Sequence, residues 1–247
     1  MDSIDTAPGI TDRATRTRIR VLAVLLAVTA IMTVPGGLLW PEPSTGNETY
    51  AYSDIEPIRQ LWWGLLLGLA VVAALTVPAQ AIATLALVRH RGSTWATWGA
   101  GLMWVGIATQ CVGVAFLAGA YYFPTSPDVA RADGIAVFQG IAKDQLHLFV
   151  MMAIGALGVM VGTVFQAVGL LRSKAVPAWI PIATLFTLIT FVVPGNGAAG
   201  LITNLPMAAG AIGLAVHAWR QTEIDQTPGR ARKPEVARLD RDRCTAT

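Results

Sequence analysis

The chain has 247 residues, 54% of them hydrophobic and 13% charged, with a formal net charge of +3. A soluble domain carries about twice that charged fraction. Long uncharged runs account for the difference, which excludes a single water-driven core and points to an all-α integral membrane protein packed helix on helix in lipid, with no nucleic-acid partner.

Residues 1–19 read as a cytoplasmic N-terminal segment; Arg13, Arg16 and Arg18 precede the first apolar run, about 20–39, and Arg20 stands at its edge. No small-residue cleavage site follows it, and the run ends in Pro35-Gly36-Gly37, so it reads as a retained span and not a removed signal. The acidic stretch after it, rich in turn formers, is an outer loop too short for a domain; its Asn47-Glu48-Thr49 sequon reads as a chance match. A second run, 61–88, spaces Thr76, Gln80 and Thr84 by four, with Pro78 between them as a point of loosening. In the third, 95–123, Gly99, Gly106, Gln110 and Gly113 share a narrow arc, and Cys111 reads as a small packing residue.

Residues 124–143 read as a second outer loop. The fourth run, 146–171, places His147, Met151, Gly155, Gly158, Gly162, Gln166 and Gly169 within an arc of about 100°. Gly158 and Gly162 form a G-x-x-x-G pair, which lets another backbone approach closely. The fifth run, 176–193, is short for a crossing, about 18 residues against the ~20 that a helix needs. "VPGNGAAG" turns the chain into the sixth, 198–219, where Pro206 frees the carbonyl of Ile202 beside Asn204, as in broken helices that line substrate sites. Residues 220–247 mix both charge signs with Pro, Gly and Thr and read as a disordered cytoplasmic tail.

Six spans joined as antiparallel hairpins result. With the N-terminus inside, all of the 18 Lys and Arg residues except Arg59, Arg131 and Lys143 are cytoplasmic, which predicts an N-in, C-in bundle in the plasma membrane. Trp40, Trp62, Trp63, Tyr121 and Tyr122 then mark the outer boundary, and Trp95, Trp98, Trp179 and Trp219 the inner one. A weak repeat relates "QAIATLALVRHRGSTWATW" at Gln80 to "QAVGLLRSKAVPAW" at Gln166, a signature of duplicated hairpins.

No Asp, Glu, Lys or Arg lies within a span, which argues against a carboxylate-coupled pump, a voltage sensor or a retinal protein. H-E-x-x-H and G-x-S-x-G are absent, the three histidines cannot share one metal, and no catalytic group, metal or cofactor is expected. The polar residues that remain are amides. Measured from the inner basic residues at about 1.5 Å per residue, Gln166 lies roughly 9 Å deep, Gln80 13 Å, Gln110 22 Å and Asn204 24 Å, with His147 at the outer surface.

Two expectations about function follow. An accessory or scaffold protein would use glycine faces (Gly106, Gly113, Gly155, Gly158 and Gly162) to pack against a membrane-protein partner or a second copy of itself. A permease or binding protein would carry a small neutral or lipophilic molecule along Gln80, Gln110, Gln166 and Asn204, with His147 as a pH-sensitive mouth beside Asp144. An intramembrane enzyme is a distant third. In "GIAKDQLHLF", Lys143, Asp144 and His147 are expected to share one helical face at the membrane surface.

Overall fold

The computed structural model describes residues 13–44, 49–89, 91–192 and 197–224. The sequon at Asn47, His90, Cys244, the Pro194-Gly195 turn, residues 1–12 and residues 225–247 of the tail lie outside them. Every regular element among the described residues is helical. The helices are α1 (Arg13–Leu38), α2 (Tyr52–Ile55), α3 (Arg59–Leu87), α4 (Ser93–Tyr122), α5 (Arg131–Lys143), α6 (Gln145–Ser173), α7 (Trp179–Thr184), α8 (Thr187–Val192) and α9 (Gly197–Ile224). Single 3₁₀ turns, Glu56–Ile58 and Phe123–Thr125, follow α2 and α4.

Five segments are long and apolar enough to cross a membrane: Ala14–Gly36, Tyr52–Leu87, Ser93–Thr125, Gln145–Ser173 and Gly200–Glu223. Their large apolar side chains are turned outward as well as inward; Val105 and Ile202 are each 69% exposed. Water would penalise that arrangement and lipid does not, so the five helices give the chain the character of an integral membrane protein.

Packing runs in a ring. α1 lies on α3, α3 on α4, α4 on α6, α6 on α7, α7 on α9 and α9 back on α1. Neighbours are antiparallel where contacts fix direction. Arg59 at the start of α3 reaches Tyr122 at the end of α4, and Cys111 of α4 donates to the Ala70 carbonyl of α3. Gly99 of α4 faces Gly162 of α6, and Gly113 faces Met152. At the other side of the ring Arg20 of α1 donates to Thr222 of α9 at 3.0 Å and lies over the Trp219 ring.

Two cores fill the bundle. The one toward the Arg20 end is built mainly from alanines with Leu26, Leu87, Leu170 and Leu214, small residues that allow close helix approach. The other is aromatic. Tyr50, Trp62 and Tyr121 meet edge to face at centroid distances of 4.8 to 5.8 Å, and Tyr52 and Tyr121 both pack on Phe138.

Several expectations need correction. The fifth run is not one helix: α7 and α8 are separated at Leu185-Phe186, and the apolar helical stretch is Trp179–Thr190. Bonds of the i to i−3 kind, the tighter 3₁₀ spacing, run from Phe186 to Ala183, Leu188 to Leu185 and Ile189 to Phe186, between i to i−4 bonds from Leu185 to Pro181 and Thr190 to Phe186. Thr184 and Thr190 add hydroxyl bonds to carbonyls three residues back, which compete with a regular helical ladder. The loop expected at 124–143 contains α5, which sits over the aromatic core through Phe138. Its apolar positions Ile135, Phe138 and Ile141 recur at helical spacing, but the stretch is too short to register as a span. Pro78 and Pro206 lie inside continuous helices, so neither breaks its span.

Candidate functional site

Among the described residues the most extensive helix packing is the seam between α4 and α6. A Cβ added at Gly106 would come 2.6 Å from the Val159 nitrogen, at Gly155 2.5 Å from the Gln110 nitrogen, at Gly113 2.6 Å from Met152, and at Gly162 2.7 Å from the Gly99 carbonyl. A Cβ added at Gly158 would come 2.9 Å from the Gly106 Cα. All five glycines named as packing candidates therefore face a partner helix inside the same chain. The seam continues to the turn between α3 and α4, where Gly92 has φ 90° and its Cβ would meet the Gly169 carbonyl at 2.5 Å. Only glycine accepts both conditions.

Gln166 lies in this seam against Gly99 and is 1% exposed, yet neither its Oε1 nor its Nε2 has a hydrogen-bond partner. Thr84 of α3 is fully buried with its hydroxyl equally unpartnered, and Gln80, one turn earlier, is 7% exposed. α3 touches α6 as well as α4. Gln110 keeps its Oε1 buried and unpartnered too, but it stands eleven residues beyond Gly99 along α4, roughly 16 Å. Asn204 is half-buried on α9, which packs on α1, α3, α7 and α8. Gln80 and Gln166 thus lie on two helices that touch, whereas Gln110 and Asn204 occupy separate positions.

The outer mouth differs from its expected form. α5 ends at Lys143 and α6 starts at Gln145, so Lys143 and His147 belong to different helices. Asp144 is the joint, and its carboxylate accepts from His147 Nδ1 at 2.8 Å. Both side chains are largely exposed, the histidine at 83%. His217 Nδ1 donates to the Gly213 carbonyl at 2.9 Å, one turn back on its own helix. Among the described residues no three His, Cys, Asp or Glu side chains form a group able to hold a metal.

A feature missed in the sequence lies at the aromatic end. An open cleft of about 950 Å³ is bounded by α2, the start of α3, the Phe123–Thr125 turn and the start of α5. Arg59, Arg131 and Glu56 line it. The two arginines had stood out as exceptions to the expected cytoplasmic placement of the basic residues, which was the available signal.

A family profile matches residues 3–218, nearly the whole chain. The chain belongs to the family described as Domain of unknown function (DUF4386). Comparison with curated proteins and with solved structures gives no match. The family description carries no activity, so function rests on the geometry above.

Proposed function

We propose that this DUF4386 member is a six-crossing, non-enzymatic protein of the plasma membrane, with both termini cytoplasmic, that works by lateral association with another membrane protein or a second copy of itself. The Arg20–Thr222 bond supports an even number of crossings, because it brings the first turns of α1 to the last turns of α9. Trp179 and Ile180 lie against Gly213, and Ala183 and Thr184 against Gly210, so α7 runs antiparallel to α9. The α7–α8 stretch is thereby the natural sixth crossing. Its 3₁₀ turn rises about 2.0 Å per residue instead of 1.5, which helps a short segment reach.

The observation that carries association is on α3. Leu61, Gly64, Gly68, Val71 and Leu75 are exposed and fall within an arc of about 80°. Nothing lies within 4 Å of a Cβ built at Gly64 or Gly68. The expected docking glycines of α4 and α6 are used inside the chain, whereas this second G-x-x-x-G pair faces outward, where another backbone can approach. Gly64→Leu with Gly68→Leu should leave the fold intact and remove cross-linked copies or partners in native membranes. Unchanged cross-linking would defeat the proposal.

The unpartnered amide of Gln166 favours a second reading, in which a small neutral molecule enters the inner half of the bundle. Native mass spectrometry of gently released protein should then show a stoichiometric small molecule, lost in Gln166→Leu.

A further inference from the structure

We propose that the cleft at the aromatic end binds a phosphate-type anion, held by Arg59 and Arg131. Arg59 is already oriented. Its guanidinium carbon lies 4.0 Å from the Tyr122 ring centroid, and its Nε donates to the Tyr122 carbonyl at 3.2 Å. Those contacts occupy the ring face and one donor, and leave the two terminal amino groups for a ligand. No carboxylate lies within 4 Å of Arg59 among the described residues. A fixed guanidinium without a counter-ion, on the wall of a cleft, is the arrangement that planar, two-point recognition of phosphate requires.

Arg131 stands on the same cleft from the start of α5, 68% exposed, with its carbon 5.8 Å from the Tyr52 ring. It is held by a single 3.1 Å contact to Glu56. The nearby Asp128 carboxylate faces Ser126 at 3.4 Å and does not line the cleft. The balance inside the cleft is therefore two cations against one carboxylate, and only Arg131 is neutralised. Pro57 and Pro127 stiffen the two turns that form its walls. Leu61 lines the cleft and is also 52% exposed at the head of the outward stripe of α3, so the opening adjoins the level where headgroups meet acyl chains. The anion can therefore be the phosphate of a lipid headgroup or a free phosphate, and the chemistry of the two is the same.

The test uses the full chain. Inorganic phosphate is titrated into protein held in a maltoside detergent, which carries no phosphate group, and lipid retained from nanodiscs of equal phosphatidylglycerol and phosphatidylcholine is counted by native mass spectrometry. Saturable phosphate binding without lipid selection assigns a soluble anion; retained phosphatidylglycerol assigns a headgroup. Arg59→Gln should weaken whichever is seen by about tenfold or more. Because Arg59 also holds Tyr122, two exposed-side variants keep the test independent of folding: Arg131→Gln should weaken binding, and Glu56→Gln, which removes the competing carboxylate, should strengthen it. Neither phosphate binding nor lipid selection in the unmodified chain would overturn the proposal. So would binding that is indifferent to all three variants.

Discussion

Gln166 is the least satisfied side chain in the bundle, 1% exposed with both polar amide atoms unpartnered. An amide buried without partners costs about 1–3 kcal/mol. Gln166→Leu keeps the volume and removes that cost, so it should raise the thermal midpoint of the solubilised protein, by about 1–2 kcal/mol of stability. A lower midpoint would mean that the amide has a bound partner in the membrane, as the small-molecule reading requires. At the opposite end, Tyr50 packs against Trp62 and Tyr121 and donates to the Pro41 carbonyl at 2.9 Å. Burial, which disfavours the phenolate, pushes its pKa up to about 12. The neutral form is the one the folded state holds, so its contribution, about 2–3 kcal/mol, is complete below the ordinary value near 10 and is lost as pH rises through 12. Absorbance titration should show a late tyrosinate step near pH 12 that loses one equivalent in Tyr50→Phe. A full late step in the variant would place the shift on another tyrosine.

Among the elements, α4 and α6 depend on each other most. Gly106→Val or Gly155→Ala would set a side chain against backbone at 2.6 or 2.5 Å and force the seam apart. Overpacking of that kind costs about 1–3 kcal/mol and occasionally more. Gly101 has nothing within 4 Å, and Gly101→Ala should be neutral or slightly stabilising through helix propensity. Thermal unfolding of the three variants checks the contrast, and equal behaviour would remove the seam from the account. The glycine arcs of these helices were legible in the sequence because 3.6-residue periodicity needs no partner to be seen. That the two arcs meet each other was one of two alternatives the sequence left open, the other being the rest of the bundle. Lipid and a neighbouring helix are equally apolar, so hydropathy cannot separate an internal seam from the outward Gly64–Gly68 stripe. α5 was illegible for a related reason: a short helix resting on aromatic rings carries too few apolar residues to stand out from a loop.

For the whole molecule, the contact of Arg20 with Thr222 and Trp219 ties the start of α1 to the end of α9 and therefore predicts that both termini face the same side. A reporter fused after Thr247 should be active in the cytoplasm, like one fused before Met1. Opposite sides would limit the crossings to the five long helices and make α7–α8 a segment that enters and returns. The distribution of Lys and Arg carries the expected side, and the helix contact supports the parity; neither contains the other.

By itself the sequence determined the helical class, the membrane character and the long apolar runs, since each follows from local composition and the cost of unpaired backbone in lipid. It also singled out the amides and the outlying arginines. Only the tertiary structure decided which glycines meet each other, that the fifth run divides in two, and that Arg59 and Arg131 share a cleft. These depend on the order of helices around the ring and on axial register, and no single segment encodes either one: they emerge only when the apolar helix surfaces pack against one another.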